Sequence, residues 1–246
     1  MIRWGPTGPA PDVAATARRM DRQGRFVAHP LHPPMRGLEK NRLEALIDGI
    51  FAVALTLLVL DIKLPEDIPL ATNQALWLRL LGLERHFVIY VISFVVIGMY
   101  WINHHIQFHF VTRTNRELIW INLLYLLLVS FLPFATDLIG DHKELVLPCE
   151  IYGITLLALS AASFFHVEYL ARHPELAAPT FTAAVRLAIE RRIALFALVP
   201  LLSMTVAFVS THVALYVYLL LATAHFLPGR IDAQIAAAER NEELSA

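Results

Sequence analysis

Long apolar blocks constrain this chain more than any other feature of its sequence. They occupy residues 43–62, 87–108, 118–139, 145–170, 193–209 and 213–227. A helix rises about 1.5 Å per residue, so about 20 apolar residues cross the roughly 30 Å of hydrocarbon in a bilayer. The blocks therefore predict an all-α polytopic membrane protein with six transmembrane helices per subunit.

The composition supports a bilayer rather than water as the solvent. Hydrophobic residues make up 57% of the chain and charged residues 17%, and the mean hydropathy is +0.56. These values lie well to the apolar side of a typical soluble domain. The net charge of -1 gives no basic excess, so we expect no nucleic-acid partner. The single cysteine, Cys149, excludes an intrachain disulfide and a cysteine-based zinc site.

The positions of the positive residues predict how the spans are oriented. Lysine and arginine next to a span are retained on the cytoplasmic side. With the N-terminus inside, only four of the 20 Lys and Arg residues fall outside, namely Lys63, Arg79, Arg85 and Lys143. The distribution predicts six spans with both termini in the cytoplasm (N-in and C-in).

The chain is expected to have three regions. Residues 1–40 hold six of the 14 prolines and lack the apolar core of a signal peptide, which predicts a mobile, uncleaved cytoplasmic tail. Residues 41–228 form the six-helix transmembrane domain, and residues 229–246 form a second cytoplasmic tail. Residues 180–192 alternate apolar and charged side chains, which predicts a separate short amphipathic helix on the cytoplasmic headgroups. No β-strand is expected.

Asp48 is the residue of the first span least suited to lipid. It lies about 9 Å along the helix from Arg42, and an unpaired carboxylate at that depth costs about 2.5–3.5 kcal/mol or more. The neighbouring ends of the next two spans offer polar partners, namely Trp101, His104, His105 and Asn122. We therefore predict a hydrogen-bonded network that links the first three spans. The alternative is that each side chain reaches the inner membrane interface separately, as Trp and His often do.

Three histidines on the second span raise the question of a metal site. His104, His105 and His109 are spaced i, i+1 and i+5, which does not bring three ring nitrogens to one helical face. The sequence contains no second cluster of His or acidic residues at that depth. We therefore expect no metal, no catalytic residue and no enzymatic activity.

One stripe of the first span carries Val53, Thr56 and Leu60. The spacing i, i+3 and i+7 places these three side chains on the same helical face. Such a stripe, taken alone, is more typical of ordinary helix packing than of a pore.

Three stretches resemble a known family of channels. Residues 42–62, 96–110 and 120–136 are similar to the first three helices of the transmembrane protein 175 family, whose best-known member is the lysosomal potassium channel. The family pattern R-x-x-x-F-S-D in the first helix is matched by Arg42 and Asp48. Leu46 and Ile47 stand where the family has Phe and Ser, so Ile47 removes a hydroxyl from the predicted network.

The resemblance implies a potassium-selective cation channel without the T-V-G-Y-G carbonyl filter, which this sequence lacks. It implies that Val53, Thr56 and Leu60 line the pore as a hydrophobic constriction with one ring of hydroxyls. It also implies a homotetramer in a bacterial-type cytoplasmic membrane, with lipid and potassium ions as partners. No cofactor is expected beyond the permeant potassium ion.

Two other functions remain open on the sequence alone. The Leu46 and Ile47 departure and the long N-terminal tail leave room for a non-conducting membrane scaffold of the same fold. A His-dependent membrane metalloprotein is a further alternative, and it would require bound metal. Asp61 and Glu66, near the outer end of the first span, either concentrate cations at a pore mouth or simply end the helix at the headgroups.

Overall fold

The computed structural model describes residues 17–20, 26–29, 40–63, 72–142 and 144–220 of the 246. The chain divides into two units, Met1–Gly37 and Leu38–Ala246. The predicted tail at 229–246 and the residues Glu66 and Lys143 lie outside the described residues. The N-terminal tail is described only at its two short segments.

The first unit contains an antiparallel pair of strands, β1 (Ala17–Met20) and β2 (Phe26–His29). Ala17 lies opposite His29, and Met20 lies opposite Phe26. The expectation that the chain has no strand is therefore wrong. Each segment is too short for a stable helix, and antiparallel pairing satisfies its backbone N–H and C=O groups.

Every secondary-structure element described in the second unit is helical. The helices are α1 (Lys40–Leu57), which continues as a 3-10 turn (Leu58–Asp61), α2 (Asn73–Gly82), α3 (Glu84–His109), α4 (Arg116–Asp141), α5 (Val146–Arg172), α6 (Ala183–Ala207) and α7 (Thr211–Val217). The ten-residue helix α2 was not predicted. It lies in the connection between the first two predicted spans and is too short to cross a bilayer.

Among the described residues, four helices are long and apolar enough to cross a membrane: α1 with its 3-10 turn, α3, α4 and α5. They coincide with the first four predicted spans to within a few residues. The predicted fifth span begins within α6, and the sixth begins within α7, where the described chain ends at residue 220. The count of six spans and the N-in, C-in orientation therefore stay predictions.

The amphipathic segment 180–192 is not a separate helix, and that prediction is wrong. Helix α6 begins after Thr182, whose hydroxyl accepts a hydrogen bond from the Val185 N–H at 3.3 Å, and it runs unbroken to Ala207. No Gly or Pro separates the charged first half from the apolar second half. Ion pairs also hold the charged half in place, since Arg186 bonds Glu190 at 2.6 Å and Glu168 of α5 at 2.5 Å.

Two connections at one end of the bundle are joined by backbone hydrogen bonds. The Thr112 N–H donates to the Leu176 carbonyl at 2.8 Å, and the Ala178 N–H donates to the Phe110 carbonyl at 2.8 Å. This bridge ties the α3–α4 connection to the α5–α6 connection. It closes the end of the bundle at which α3 ends, where the polar side chains of the candidate site lie.

Gly153 allows α5 and α6 to approach closely. A Cβ at this position would lie 2.7 Å from Sδ of Met204 on α6 and 3.4 Å from the Tyr218 hydroxyl. Separations below 3.0 Å are not tolerated between real side chains without a shift of the neighbour. A side chain at position 153 therefore forces the Met204 side chain to move, and glycine leaves room for this close contact between two membrane helices.

Replacing Gly153 with alanine is expected to lower the free energy of unfolding by about 1–3 kcal/mol, because the new methyl group overpacks the contact with Met204. Thermal unfolding of the purified protein in detergent measures the change. Gly98→Ala is the matched control, since nothing lies within 4 Å of a Cβ at that position. A Met204→Ala change combined with Gly153→Ala should recover most of the loss, and a loss that persists would contradict the steric explanation.

Candidate functional site

Helix α1 is apolar but poorly covered by the rest of its subunit. In its membrane-spanning window 28% of residues are buried, against 44% for α3 and α4 and 56% for α5. A single stripe faces the core, formed by Leu43, Ile47, Phe51, Ala54 and Leu58. Ile50 and Leu55 pack partly against this core, and most of the remaining helix surface faces away from the subunit.

The predicted stripe of three residues lies on this exposed surface. Val53 is 53% exposed and Leu60 is 60% exposed, and Thr56 between them is also exposed. These side chains are therefore not part of the core of their own subunit. The Thr56 hydroxyl donates to the Val53 carbonyl at 2.9 Å, so its proton is used within the helix and its lone pairs point outward.

The residues of the first-helix motif point in different directions. Arg42 is exposed, and Leu46 is 45% exposed. Ile47, by contrast, is 3% exposed, and it lines a small crevice together with Asp48 and His104. The residue that replaces the family's serine thus lies beside the polar contacts, whereas Leu46 does not.

Polar contacts join α1 to α3 and α3 to α4. The Trp101 indole N–H donates to Oδ1 of Asp48 at 2.9 Å. Nε2 of His104 lies 2.9 Å from Oδ1 of Asn122, whose amide nitrogen donates to the Leu118 carbonyl at 2.7 Å. That second bond fixes the orientation of the amide, so His104 donates its Nε2 proton.

The two pairs remain separate rather than forming one continuous chain. Within the part of the chain that the structure describes, no hydrogen bond connects the Asp48–Trp101 pair to the His104–Asn122 pair. His105 stacks on the Trp101 ring with the ring centres 5.7 Å apart and is exposed to the outside of the subunit.

A third contact was missed by sequence reasoning. Nδ1 of His166 on α5 lies 3.2 Å from Oε1 of Gln107 on α3, and both residues are buried. Trp101, His104 and Gln107 are spaced by three residues along α3, and they bond to α1, α4 and α5 in turn. His166 carried a usable signal, because an ionisable residue inside an apolar span is a site candidate by default.

The three histidines in the last part of α3 do not come together at one site. His104 is buried, whereas His105 and His109 are exposed. Among the described residues, no group of three or more His, Cys, Asp or Glu side chains is placed to hold a metal ion. At the other end of the bundle, Asp61 lines a crevice with His86 and Asp137.

Replacing Trp101 with phenylalanine is expected to lower the free energy of unfolding by about 1.5–3 kcal/mol, because the Asp48 carboxylate loses a charge-assisted hydrogen bond. Thermal unfolding in detergent measures this change. Trp120→Phe is the matched control, since Trp120 is 62% exposed, and we expect its effect to stay within about 0.5 kcal/mol. Equal effects of the two substitutions would show that the Asp48 contact contributes nothing to stability.

Comparison with known proteins places this geometry in a family. The family model described as endosomal/lysosomal potassium channel TMEM175 matches residues 42–133, which include all but the first two residues of α1, all of α2 and α3, and most of α4. A protein from Streptomyces collinus named a potassium channel is 35% identical over 189 residues, covering 75% of this chain and 90% of that relative. The human protein named endosomal/lysosomal proton channel TMEM175 is 35% identical over 120 residues, covering 44% of this chain and 23% of that relative.

A solved structure supports the same assignment. The crystal structure of a lysosomal potassium-selective channel TMEM175 homolog from Chamaesiphon minutus superposes with a TM-score of 0.63 at 28% sequence identity. The similarity covers 75% of this chain and 95% of that one. With its apolar helices, the chain is an integral membrane protein. It belongs to the TMEM175 family of ion channels and is therefore not an enzyme.

Proposed function

We propose that this protein is a potassium-permeable, potassium-selective cation channel whose pore is lined by α1, with a hydrophobic constriction in place of a carbonyl filter. The observation that carries the proposal is the exposed face of α1 with Val53, Thr56 and Leu60. The choice of potassium rests on two relatives, the Streptomyces collinus protein named a potassium channel and the Chamaesiphon minutus homolog described as potassium-selective.

The composition of the exposed surface favours water over lipid on part of α1. Beside the apolar side chains it carries Arg42, Asp48, Gly49 and Thr56. Charged and small polar residues within a span are expensive against lipid tails and typically face a protein interior or a water-filled cavity. One α1 cannot enclose a cavity, so several copies are needed, and we propose a homotetramer.

The chemistry of such a pore follows from its rings of side chains. Rings of Val53 and Leu60 exclude water when the pore is narrow, which raises the barrier for a hydrated ion. The Thr56 ring presents oxygen lone pairs between them, because each hydroxyl proton already bonds the Val53 carbonyl. These oxygens replace part of the hydration shell, more readily for potassium, which holds its water weakly, than for sodium.

In this proposal, the contact between α1 and α3 fixes the position of α1, the pore-lining helix, relative to the rest of the subunit. The Asp48–Trp101 bond attaches the Arg42 end of α1 to α3, and Ile47 packs beside it. In this proposal, Ile47 in place of serine changes the packing at that attachment and leaves the exposed face of α1 intact. The proposed location is a bacterial-type cytoplasmic membrane, with the N- and C-termini inside, and no cofactor is needed beyond the permeant potassium ion.

Cation flux into liposomes that contain the purified protein tests the proposal. We expect potassium flux to exceed sodium flux and protein-free liposomes to show neither. A pH-sensitive dye in the same liposomes measures proton flux, since the human relative is named a proton channel. Proton flux without potassium flux would show that the permeant ion is the proton rather than potassium. No flux of any of the three ions from a folded oligomer would favour a non-conducting scaffold.

A further inference from the structure

Helix α2 carries its large apolar side chains on the outside of the subunit. Trp77 is 61% exposed, Leu78 is 62% exposed, Leu80 is 44% exposed and Leu81 is 51% exposed. None of the ten residues of α2 is buried against the described part of the chain. A contiguous apolar surface of this kind marks a contact with a partner protein or with a membrane.

The two sides of α2 are arranged in the opposite way from those of a surface helix in water. Ala75 and Arg79 are separated by four residues, so they share one side, and both are half-buried. Trp77, Leu78 and Leu81 lie on the opposite side and are exposed. In a helix on a soluble protein, the charged side faces out and the apolar side faces the core. The exposed side of α2 therefore suits apolar surroundings.

The stability of α2 also requires a contact on that side. Isolated helices shorter than about 12–15 residues are marginal in water. Both ends of α2 are capped, since the Thr72 hydroxyl accepts a hydrogen bond from the Ala75 N–H at 3.1 Å and the Leu83 N–H donates to the Leu80 carbonyl at 3.1 Å. A side-chain cap contributes only about 0.5–2 kcal/mol. Burial of the exposed apolar side supplies the remaining stabilisation.

The neighbouring spans place α2 at the boundary of the membrane. The first span ends at Asp61, and α3 begins with Glu84 and Arg85. Charged residues are costly within the hydrocarbon, so these three mark the level of the lipid headgroups. Only Leu83 separates α2 from α3, which holds the end of α2 close to that level. The helix is about 15 Å long, about half of the roughly 30 Å needed to cross the hydrocarbon.

We propose that α2 is an interfacial helix that inserts Trp77, Leu78, Leu80 and Leu81 among the lipid headgroups and upper acyl chains at the Asp61 end of the bundle. Interfacial helices bury their apolar side about 5–10 Å into this layer, and tryptophan is enriched there because its ring is apolar and its N–H is polar. A second copy of the chain fits less well, because a stable protein interface uses about 20–30 residues of each partner. The lipid contact does not depend on which ion the protein conducts.

Spin labelling of the full-length protein in phosphatidylcholine–phosphatidylglycerol liposomes tests the proposal. Cys149 is the single cysteine and is buried, so Cys149→Ala provides a background for one label at Leu78→Cys. Oxygen accumulates in the hydrocarbon and a nickel chelate stays in water. Glu175→Cys, in the exposed α5–α6 connection, is the water control, and Leu127→Cys, 64% exposed on α4, is the hydrocarbon control. We expect the ratio of oxygen to nickel collisions at Leu78 to be severalfold above that at Glu175 and below that at Leu127.

Two other results would overturn the proposal. A ratio at Leu78 equal to that at Glu175 would place α2 in water, and few collisions with either reagent would show that protein, such as a second copy, covers it. If the cysteine variants do not fold, tryptophan fluorescence in brominated lipid decides. Trp77→Phe removes one of the four tryptophans, and we expect lipid brominated near the headgroup to quench the emission that this substitution removes. Absence of that quenching would contradict insertion of α2 into the bilayer.

Discussion

Replacing Leu60 with alanine is expected to increase potassium flux about tenfold, which corresponds to a barrier lower by about 1.4 kcal/mol. Leu60 lies in the 3-10 turn that continues α1 and is 60% exposed. In the proposed tetramer the substitution replaces four isobutyl groups of the proposed constriction by methyl groups, so the constriction should admit water more easily. Potassium flux into liposomes, normalised to the amount of folded oligomer, measures the change.

Alanine substitutions at two other leucines distinguish a change in the pore from a general change in the protein. Leu127→Ala changes an α4 side chain that is 64% exposed and lies off the proposed pore face, so flux should stay unchanged. Leu58→Ala changes a core side chain that is 1% exposed, and we expect it to lower the free energy of unfolding by about 2–5 kcal/mol. A Leu60→Ala flux equal to that of wild type would remove Leu60 from the constriction.

The first four spans could be predicted from the sequence because their signal is local. A run of about 20 apolar residues needs no knowledge of its neighbours to be assigned to a membrane helix. Segment 180–192 shows where local reasoning fails. Its charges predict a separate surface helix, but Arg186 is paired with Glu168 of α5, and that contact between helices lets the charged segment continue directly into the apolar half of α6.

The candidate site, too, could be predicted from the sequence only in part. Depth along each span placed Asp48, Trp101, His104 and Asn122 at one level, because the order of the spans fixes which ends of the helices meet. The pairing of Trp101 with Asp48 and of His104 with Asn122 was not predicted. The Gln107–His166 contact depends on α5 packing against α3, and no periodicity in the sequence reports which helices of a bundle are neighbours. Pore lining by Val53, Thr56 and Leu60 rests on the family resemblance, and the structure adds that this face is not used by the core of its own subunit.

Replacing Thr56 with valine is expected to reduce the ratio of potassium to sodium flux about fivefold to tenfold, or about 1–1.4 kcal/mol of discrimination. Valine has nearly the shape of threonine, so the width of the pore is retained while four outward oxygens are lost. The helix also loses the bond from the hydroxyl to the Val53 carbonyl, which is a local contact on an exposed face. The measurement is paired potassium and sodium flux in liposomes.

Thr205→Val is the matched control for this substitution. The Thr205 hydroxyl is also exposed and also donates to its own helix, to the Leu201 carbonyl at 2.9 Å, but it lies on α6 rather than on α1. Its replacement should leave the ratio unchanged, and Thr56→Ser should keep most of the selectivity because it keeps the oxygen. If Thr56→Val preserves both the conductance and the ratio, the hydroxyl ring has no part in selectivity, and discrimination must then arise from the apolar rings alone.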